Sequence, residues 1–185
     1  QRRPELQIQI TEGPLDELQT LLRNGQIEMA LLYDIDLGRD LECDTLVQVE
    51  PHVLLPSGHR LADQARVSLR ALRKEPFILL DLPHSRDYFL GFFQKAGFEP
   101  KVRHRSRSFE LVRGLVASGE GYSILNLQPA SHQTYDGGEV KCLPIKDKVS
   151  PLSIVLAQPL GLRQTHRASA FVSCCRAYFD SANQD

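Results

Sequence analysis

The sequence has no tryptophan and a single methionine, and its four cysteines form no C-x-x-C pair. Two of the cysteines, Cys174 and Cys175, are adjacent in a segment with helical periodicity, where neighbouring side chains point in different directions. A zinc site needs ligands that converge as a tetrahedron, and the six histidines include no pair at the i, i+4 spacing of one helix face. The sequence therefore predicts no metal site and small buried cysteines.

Long hydrophobic runs are also missing, since no segment approaches the roughly 20 apolar residues that span a bilayer. Residues 1–4 are not followed by the apolar core of a signal peptide. We therefore expect a cytoplasmic protein without membrane contact. Basic and acidic residues nearly balance, 22 against 23, which argues against a surface that grips a phosphate backbone by itself.

Three motifs that carry common chemistry are absent: G-x-x-x-x-G-K-[ST], G-x-G-x-x-G and G-x-S-x-G. Acidic pairs such as Asp34/Asp36 and Asp16/Glu17 are explained by loop solvation and by the positive end of a helix dipole. The sequence therefore predicts no catalytic residue and no cofactor.

Strand and helix patterns alternate along the chain. Apolar residues at helical spacing predict helices at 15–22, 85–96, 108–118 and 165–181, and Ser108 is expected to be the N-cap of the third. The predicted apolar faces comprise Tyr88, Phe89, Phe92 and Phe93 in the second helix, Leu111, Val112, Leu115 and Val116 in the third, and Phe171, Val172, Cys175, Tyr178 and Phe179 in the fourth. Alternating or wholly apolar segments predict strands at 6–10, 27–33, 45–49, 52–56, 77–81, 101–104, 122–125, 140–143 and 152–157. The first 33 residues are interpreted as a strand–helix–strand unit with parallel pairing, and 45–49 and 52–56 as a second strand pair. The fold class is α/β.

The segment from Leu82 to Arg86 joins the end of a predicted strand to the start of a predicted helix. Backbone N–H groups and the helix dipole favour an anionic ligand at such a place. Ser85 is expected to cap the helix, and Arg86 has the planar guanidinium that can hold a carboxylate. A structural cap with a solvated arginine explains the same residues equally well.

Two further segments have both a structural and a functional interpretation. The basic segment 101–108 lacks interleaved aromatic residues, so we interpret it as a solvated edge strand rather than a nucleic-acid patch. The turn at Glu12–Pro14 and the strand end at Tyr33 are expected at the carboxyl edge of the first sheet, where open α/β sheets bind ligands. Alternatively, Glu12 and Tyr33 only cap and pack.

The order of these elements resembles the effector-binding domain of LysR-type transcription regulators over nearly the whole chain. The family's LxxGxlDlal segment is similar to LRNGQIEMAL at 22–31, where Glu28 replaces the usual Asp. Its HPLA turn is similar to HRLA at 59–62, where Arg60 replaces Pro. Its helix–turn–strand looks like VRGLVASGEGYSIL at 112–125, in which glycines permit the tight turn.

The resemblance implies a fold like type 2 periplasmic binding proteins, with two Rossmann-like lobes linked by two crossing strands. We expect lobe I at 1–52 and 160–185, lobe II at 53–159, and the crossings near 50–56 and 155–161. The resemblance also implies that a winged helix-turn-helix domain and the first strand–helix unit of lobe I are missing from this chain. DNA is therefore expected as a partner only through that missing N-terminal domain.

The resemblance places a small-molecule effector, such as a carboxylate, between the lobes. Positions that face the effector in relatives correspond here to Pro14, Tyr33, Pro83, His84, Ser85 and Val149. Strand-end geometry adds Arg86, Ser106 and Asn126. Relatives pair these domains antiparallel, so self-association as a dimer or tetramer is also expected.

The chain is thus predicted to be the effector-sensing domain of a bacterial LysR-type regulator, in which ligand binding shifts the population of lobe arrangements. Two alternatives stay open here. A solute-binding protein of a transport system shares the fold but needs a secretion signal. A small two-lobed enzyme, such as a prephenate-type dehydratase, needs an acid–base cluster, and the sequence shows no compact one.

Overall fold

The structure, a computed structural model, describes residues 8–182 and the side chains of residues 8–180. The chain divides into two compact units. The first unit holds the residues up to Gln48 and those from Ser153 onward, and the second unit is Val49–Leu152. The sequence predicts lobe I at 1–52 and 160–185 and lobe II at 53–159. Both predicted boundaries lie a few residues after the corresponding boundaries of the two units.

Four α-helices and eight strands follow one another in the described residues, together with a single 3-10 turn at Leu69–Leu72. In chain order they are α1 Leu15–Arg23, β1 Ala30–Tyr33, β2 Leu41–Val49, β3 His52–Pro56, β4 Pro76–Leu80, α2 Ser85–Lys95, β5 Lys101–Ser106, α3 Phe109–Ala117, β6 Ser123–Leu125, β7 Val140–Pro144, β8 Leu152–Pro159 and α4 His166–Ala182. The α/β class expected from the sequence is confirmed.

The first unit is built on a sheet with the strand order β1–β8–β2, in which β1 and β8 are antiparallel. Helix α1 forms because its leucines recur at helical spacing and Asp16 and Glu17 occupy its first turn, where negative charge is favoured. Its Leu22 is fully buried and packs in one cluster with the sheet residues Leu32 and Val155. A second cluster joins α4 to the sheet through Leu46, Leu156, Val172 and Cys175.

Several expectations for the first unit differ from the structure. Of the strand predicted at 6–10, residues 6 and 7 lie outside the described residues, and residues 8–10 have no regular structure. Ile10 is 80% exposed. The strand predicted from 27 begins only at Ala30, and its described partner is the antiparallel β8. Tyr178 was expected on the buried stripe of the last helix, but its side chain is 68% exposed.

The second unit contains an antiparallel sheet with the order β6–β3–β7 and a parallel pair, β4 and β5. A parallel bridge between Phe77 and Tyr122 joins the two groups, and the Ile78 N–H donates to the Tyr122 carbonyl at 2.8 Å. Strands β4, β5 and β6 therefore run in the same direction. Their carboxyl ends lie at one edge of the unit.

The core of the second unit explains why β4 is wholly apolar. Phe77, Ile78, Leu79 and Leu80 are all buried, as expected of a central strand covered on both faces. The ring of Phe77 lies 5.0 Å from that of Phe93 on α2, edge to face. Helix α3 begins at a Ser108 N-cap, whose hydroxyl accepts the Leu111 N–H at 3.3 Å, as the sequence predicts.

Two expectations for the second unit are wrong. Strands β2 and β3, expected to pair, belong to different sheets, since β3 pairs with β6 and β7. Leu111, expected on the buried face of α3, is 55% exposed. The stretch 131–138 is a loop, held by the buried Arg113, which donates to the carbonyls of Ser131 and Gln133 at 2.9 and 3.0 Å. Within residues 8–182, none of the helices is both long and apolar enough to cross a membrane.

Candidate functional site

The carboxyl ends of β4, β5 and β6 bring several of the predicted site residues to one edge of the second unit. Asp81 follows β4, and its N–H donates to the carbonyl of Ser106, the last residue of β5, at 2.8 Å. Asn126 follows directly after β6. Open α/β sheets bind ligands outside this edge. We define these strand ends, with the turn 81–86 that leads into α2, as the carboxyl edge.

The turn between β4 and α2 is closed by its own backbone. The Ser85 N–H donates to the Pro83 carbonyl at 2.7 Å, and the Arg86 N–H donates to the Leu82 carbonyl at 3.0 Å. His84 precedes the helix with a φ of 65°, a left-handed conformation that is uncommon outside glycine. Its side chain makes no capping hydrogen bond. The expected cap at Ser85 is wrong, because Ser85 is the first helical residue and His84 occupies the N-cap position.

Arg86 is engaged by Asp81. The two side chains form an ion pair, and the Arg105 guanidinium lies 3.4 Å from the second Asp81 oxygen. Burial opposes ionisation of Asp81, but the hydrogen bonds from Arg86 and Arg105 hold the pKa of this carboxyl below its usual value. A ligand carboxylate at Arg86 therefore has to compete with a carboxylate of the protein itself.

Asn126 is the centre of a buried polar network at the carboxyl edge. Its side chain is almost fully buried, with a residue exposure of 8%. The amide Nδ2 donates to the Tyr88 hydroxyl at 3.0 Å and, more weakly, to the Val49 carbonyl at 3.4 Å. The Tyr88 hydroxyl donates in turn to the Ser150 carbonyl at 2.8 Å. These hydrogen bonds thus link α2 and β6 to Val49 and Ser150, which lie close to the two ends of the segment Val49–Leu152.

One atom of this network lacks a partner. The Oδ1 atom of Asn126 is shielded from solvent and accepts no hydrogen bond from the described residues. A buried acceptor left in this state costs about 1–3 kcal/mol of stability, so natural proteins keep few of them. Each such group in a native protein therefore needs an explanation, such as a functional role or a bound partner that supplies the missing hydrogen bond.

The side chain of His52 has a second buried atom without a partner among the described residues, Nε2, and it lies close to Asn126 in the strand register. It begins β3, and its Cα lies opposite that of Leu125, the neighbour of Asn126. Burial lowers the pKa of the His52 imidazole to about 4, against the opposing effect of a hydrogen bond with the Glu50 backbone. The ring is therefore neutral at physiological pH. Its Nε2 is buried and has no hydrogen-bond partner among the described residues.

Two other predicted residues of the second unit have structural contacts. The Ser106 hydroxyl accepts the Ser108 N–H at 3.0 Å and so shapes the turn into α3. Val149 is partly buried against the core and precedes Ser150, the acceptor of the Tyr88 hydroxyl. Pro83 is exposed in the turn before α2.

Pro14 and Tyr33 belong to the first unit. Pro14 is the N-cap residue of α1, and its carbonyl accepts the Leu18 N–H at 3.0 Å. Tyr33 ends β1 opposite Ile154, and burial raises the pKa of its hydroxyl. These contacts give both residues a structural role in their own unit.

Sequence reasoning missed Tyr88 and His52, two residues next to the carboxyl edge. Tyr88 was predicted only as part of the apolar face of α2, alongside Phe89 and Phe92. A signal was present, because a tyrosine among phenylalanines carries a hydroxyl that needs a partner when it is buried. For His52 the sequence offered no comparable signal.

The described residues contain no group of three His, Cys, Asp or Glu side chains that could hold a metal ion. The four cysteines are free thiols, and the prediction that they are buried holds only for Cys175, because Cys43 and Cys174 are exposed and Cys142 is partly buried. A mainly apolar groove of about 340 Å³ lies in the first unit, between the end of α1 and the β8–α4 connection. It is lined by residues that include Leu22, Ile27, Met29, Pro159 and Leu162.

Comparisons with known proteins agree with this architecture. Residues 1–180 match the LysR substrate binding domain family. The HTH-type transcriptional regulator YnfL of Escherichia coli is 29% identical over 172 residues, which are 91% of this chain and 57% of YnfL. The chain thus spans little more than half the length of this relative.

Solved structures show the same fold. A putative LysR family regulator from Pseudomonas aeruginosa superposes with a TM-score of 0.89 at 40% identity, covering 95% of this chain and 62% of that one. The C-terminal domain of a probable LysR family regulator from Rhodococcus sp. RHA1 gives a TM-score of 0.89 at 31% identity, covering 94% and 86%.

More distant neighbours include effector-binding domains solved with a ligand. The domain of QuiR in complex with shikimate has a TM-score of 0.76 at 19% identity and covers 91% of this chain and 79% of its own. The domain of BenM with benzoate has a TM-score of 0.79 at 19% identity and covers 98% of this chain and 82% of its own. Both support the two-lobed, periplasmic-binding-protein-like α/β fold. The chain therefore belongs to the LysR substrate-binding-domain family, the effector-sensing domain of LysR-type regulators.

Proposed function

We propose that this domain binds a small-molecule effector at the carboxyl edge and that the full-length protein uses this binding to regulate transcription. The proposed ligand contacts in the second unit are Pro83, His84, Ser85, Arg86, Ser106, Asn126 and Val149. Pro14 and Tyr33 of the first unit stay in the proposal on the family resemblance alone.

The observation that carries the proposal is the convergence of three parallel strand ends on a buried amide with an unpartnered oxygen. Strand ends of this kind are the usual ligand-binding edge of α/β sheets. The left-handed conformation of His84 adds support, because uncommon backbone conformations of non-glycine residues often occur at ligand-binding positions. The family match favours a sensing role over the alternatives of solute transport and dehydratase chemistry, and we infer that the domain has no catalytic activity.

The proposed mechanism is a shift in conformational population. An effector changes the equilibrium between two conformations only by its difference in affinity for them. We propose that this difference reaches DNA through a winged helix-turn-helix segment elsewhere in the polypeptide and through a homo-oligomer. A regulator of this kind acts on chromosomal DNA, so we place it in the cytoplasm.

A thermal-shift titration of this chain tests the proposal. Ligands that bind only the folded state raise its apparent stability by RT ln(1 + [L]/Kd), about 2.7 kcal/mol at a hundredfold excess over Kd. Organic acids, amino acids and neutral metabolites form the panel, because relatives in the same fold hold shikimate and benzoate. We expect a saturable increase in Tm for at least one compound.

Two serine variants locate the binding site. Ser85→Ala removes a hydroxyl at the start of α2 and should reduce the Tm increase. Ser57→Ala removes an exposed hydroxyl after β3 and should leave it unchanged. The site assignment is wrong if both variants respond to the ligand like the parent chain.

A further inference from the structure

We infer that the effector carries a hydrogen-bond donor, a hydroxyl or an N–H group, which the Oδ1 atom of Asn126 accepts. This inference rests on the proposed function and adds the chemistry of the ligand's polar end. It also changes the expectation from the sequence, in which Arg86 was to bind a carboxylate.

The orientation of the Asn126 amide follows from its neighbours. The Tyr88 hydroxyl donates its only hydrogen to the Ser150 carbonyl, so towards Asn126 it can only accept. The Val49 carbonyl, the second neighbour, is also an acceptor. Both contacts therefore require the NH₂ group of the amide, and a flipped amide would place an oxygen against two acceptors. Oδ1 is left as an acceptor without a donor.

His52 adds a second acceptor of the same kind. Its imidazole is neutral because burial disfavours the charged form, and the Glu50 backbone occupies one side of the ring. The remaining nitrogen, Nε2, is then a lone-pair acceptor without a partner among the described residues. The strand register places His52 opposite Leu125, next to Asn126 in the chain. Two buried acceptors thus lie at one end of the β3–β6 pair.

Several donors suited to a ligand carboxylate are engaged within the protein. The Nε–H group of Arg86 donates to Asp81, and the backbone N–H groups of Ser85 and Arg86 donate to carbonyls within the turn. The unused hydrogen-bonding capacity beside β6 is therefore that of an acceptor. A compound with a hydroxyl or amine group gains a hydrogen bond there, whereas its deoxy or deamino analogue leaves the acceptors unsatisfied.

Matched pairs of ligands test this inference. Calorimetric titrations of this chain compare 4-hydroxybenzoate with benzoate, shikimate with cyclohex-1-ene carboxylate, lactate with propionate, and glycolate with acetate. For the pair that binds, we expect the hydroxylated member to have a Kd about tenfold lower, which corresponds to about 1.4 kcal/mol. This comparison needs no variant, so it does not depend on a mutant that folds.

Two amide substitutions then assign the preference to one residue. Asn126→Leu removes the acceptor while keeping a similar volume, and the ratio of the two Kd values should fall close to one. Gln94→Leu removes an amide from an exposed position on α2 and should keep the tenfold ratio.

Each result has a defined meaning. Equal affinity for both members of a pair in the parent chain overturns the inference and leaves the proposed function intact. A preference that persists in Asn126→Leu also overturns it. If neither these eight compounds nor any member of the thermal-shift panel binds at millimolar concentration, the proposed function fails, and the inference fails with it.

Discussion

His52 links the stability of the second unit to pH at the scale of a single residue. Its pKa is about 4 in the folded chain, against an ordinary value of 6.5, because burial penalises the charged ring. Between these two values the unfolded chain binds the proton and the folded chain does not. The contribution of His52 to the free energy of unfolding is therefore complete above about pH 6.5 and falls by about 3 kcal/mol as the pH is lowered to about 4.

Urea unfolding across this pH range measures the effect. We expect His52→Phe to lose most of the stability change that the parent chain shows between about pH 6.5 and about pH 4. His132→Phe, which replaces an exposed histidine in the same unit, serves as the control and should keep it. Identical pH profiles for the parent chain and His52→Phe would show that His52 is not the responsible group.

Tyr88 is the second residue whose role can be isolated. Tyr88→Phe removes the acceptor of the Asn126 amide and the donor to the Ser150 carbonyl, while it keeps the ring that packs against Phe92 at 4.7 Å. We expect the free energy of unfolding to fall by about 1–2 kcal/mol. Tyr135→Phe, at a tyrosine that is 96% exposed, should change it very little. Equal denaturation midpoints for the two variants would contradict the role of this network.

At the scale of elements, the turn between α3 and β6 determines how closely β6 can approach β4. A Cβ atom at Gly121 would collide with the backbone carbonyl of Pro76, which cannot move without disturbing β4. We expect Gly121→Ala to lower the free energy of unfolding by about 2–3 kcal/mol.

Gly114 is the matched control for this substitution. It lies within α3, and a Cβ there meets no atom within 4 Å. Gly114→Ala should stabilise the chain by about 0.5–1 kcal/mol, because alanine favours the helix and restricts the unfolded chain. Thermal unfolding of the two variants should shift Tm in opposite directions. A Gly121→Ala chain as stable as the parent would show that the close approach to Pro76 is not required.

The elements predicted correctly from the sequence are those specified by local signals. The leucine stripe of α1 and the Ser108 cap of α3 depend on residues a few positions apart, so spacing alone locates them. The pairing of β2 and β3 was predicted wrongly because strand partners are chosen by contacts between distant segments. Helix boundaries were predicted well, but Leu111 and Tyr178 show that an apolar side chain at the margin of a stripe can remain exposed.

The candidate site was only partly predictable for the same reason. Strand-end reasoning placed Asn126 and Ser106 at one edge of the second unit, as the structure does, because parallel strands end together. It could not reveal that Asp81 engages Arg86, since this pair depends on the conformation of the turn. Nor could it find the acceptor character of the edge, which follows from how Tyr88 and Val49 orient one amide.

At the scale of the whole molecule, the chain is a sensing domain of the LysR substrate-binding family. Its two units differ in the kind of ligand-binding surface that they offer. The second unit holds the carboxyl edge and its unpartnered acceptors, whereas the first unit holds a mainly apolar groove. Binding of a small molecule at either place can be measured separately. We propose that the effector binds at the carboxyl edge.

A ¹H–¹⁵N NMR titration of this chain tests that assignment most directly, using the tightest-binding compound from the ligand panel. We expect the largest saturable shifts at the backbone amides of 81–88, 106–108 and 125–127 and at the side-chain amide of Asn126. Shifts concentrated instead at the first-unit groove, around Leu22, Met29 and Leu162, would contradict it.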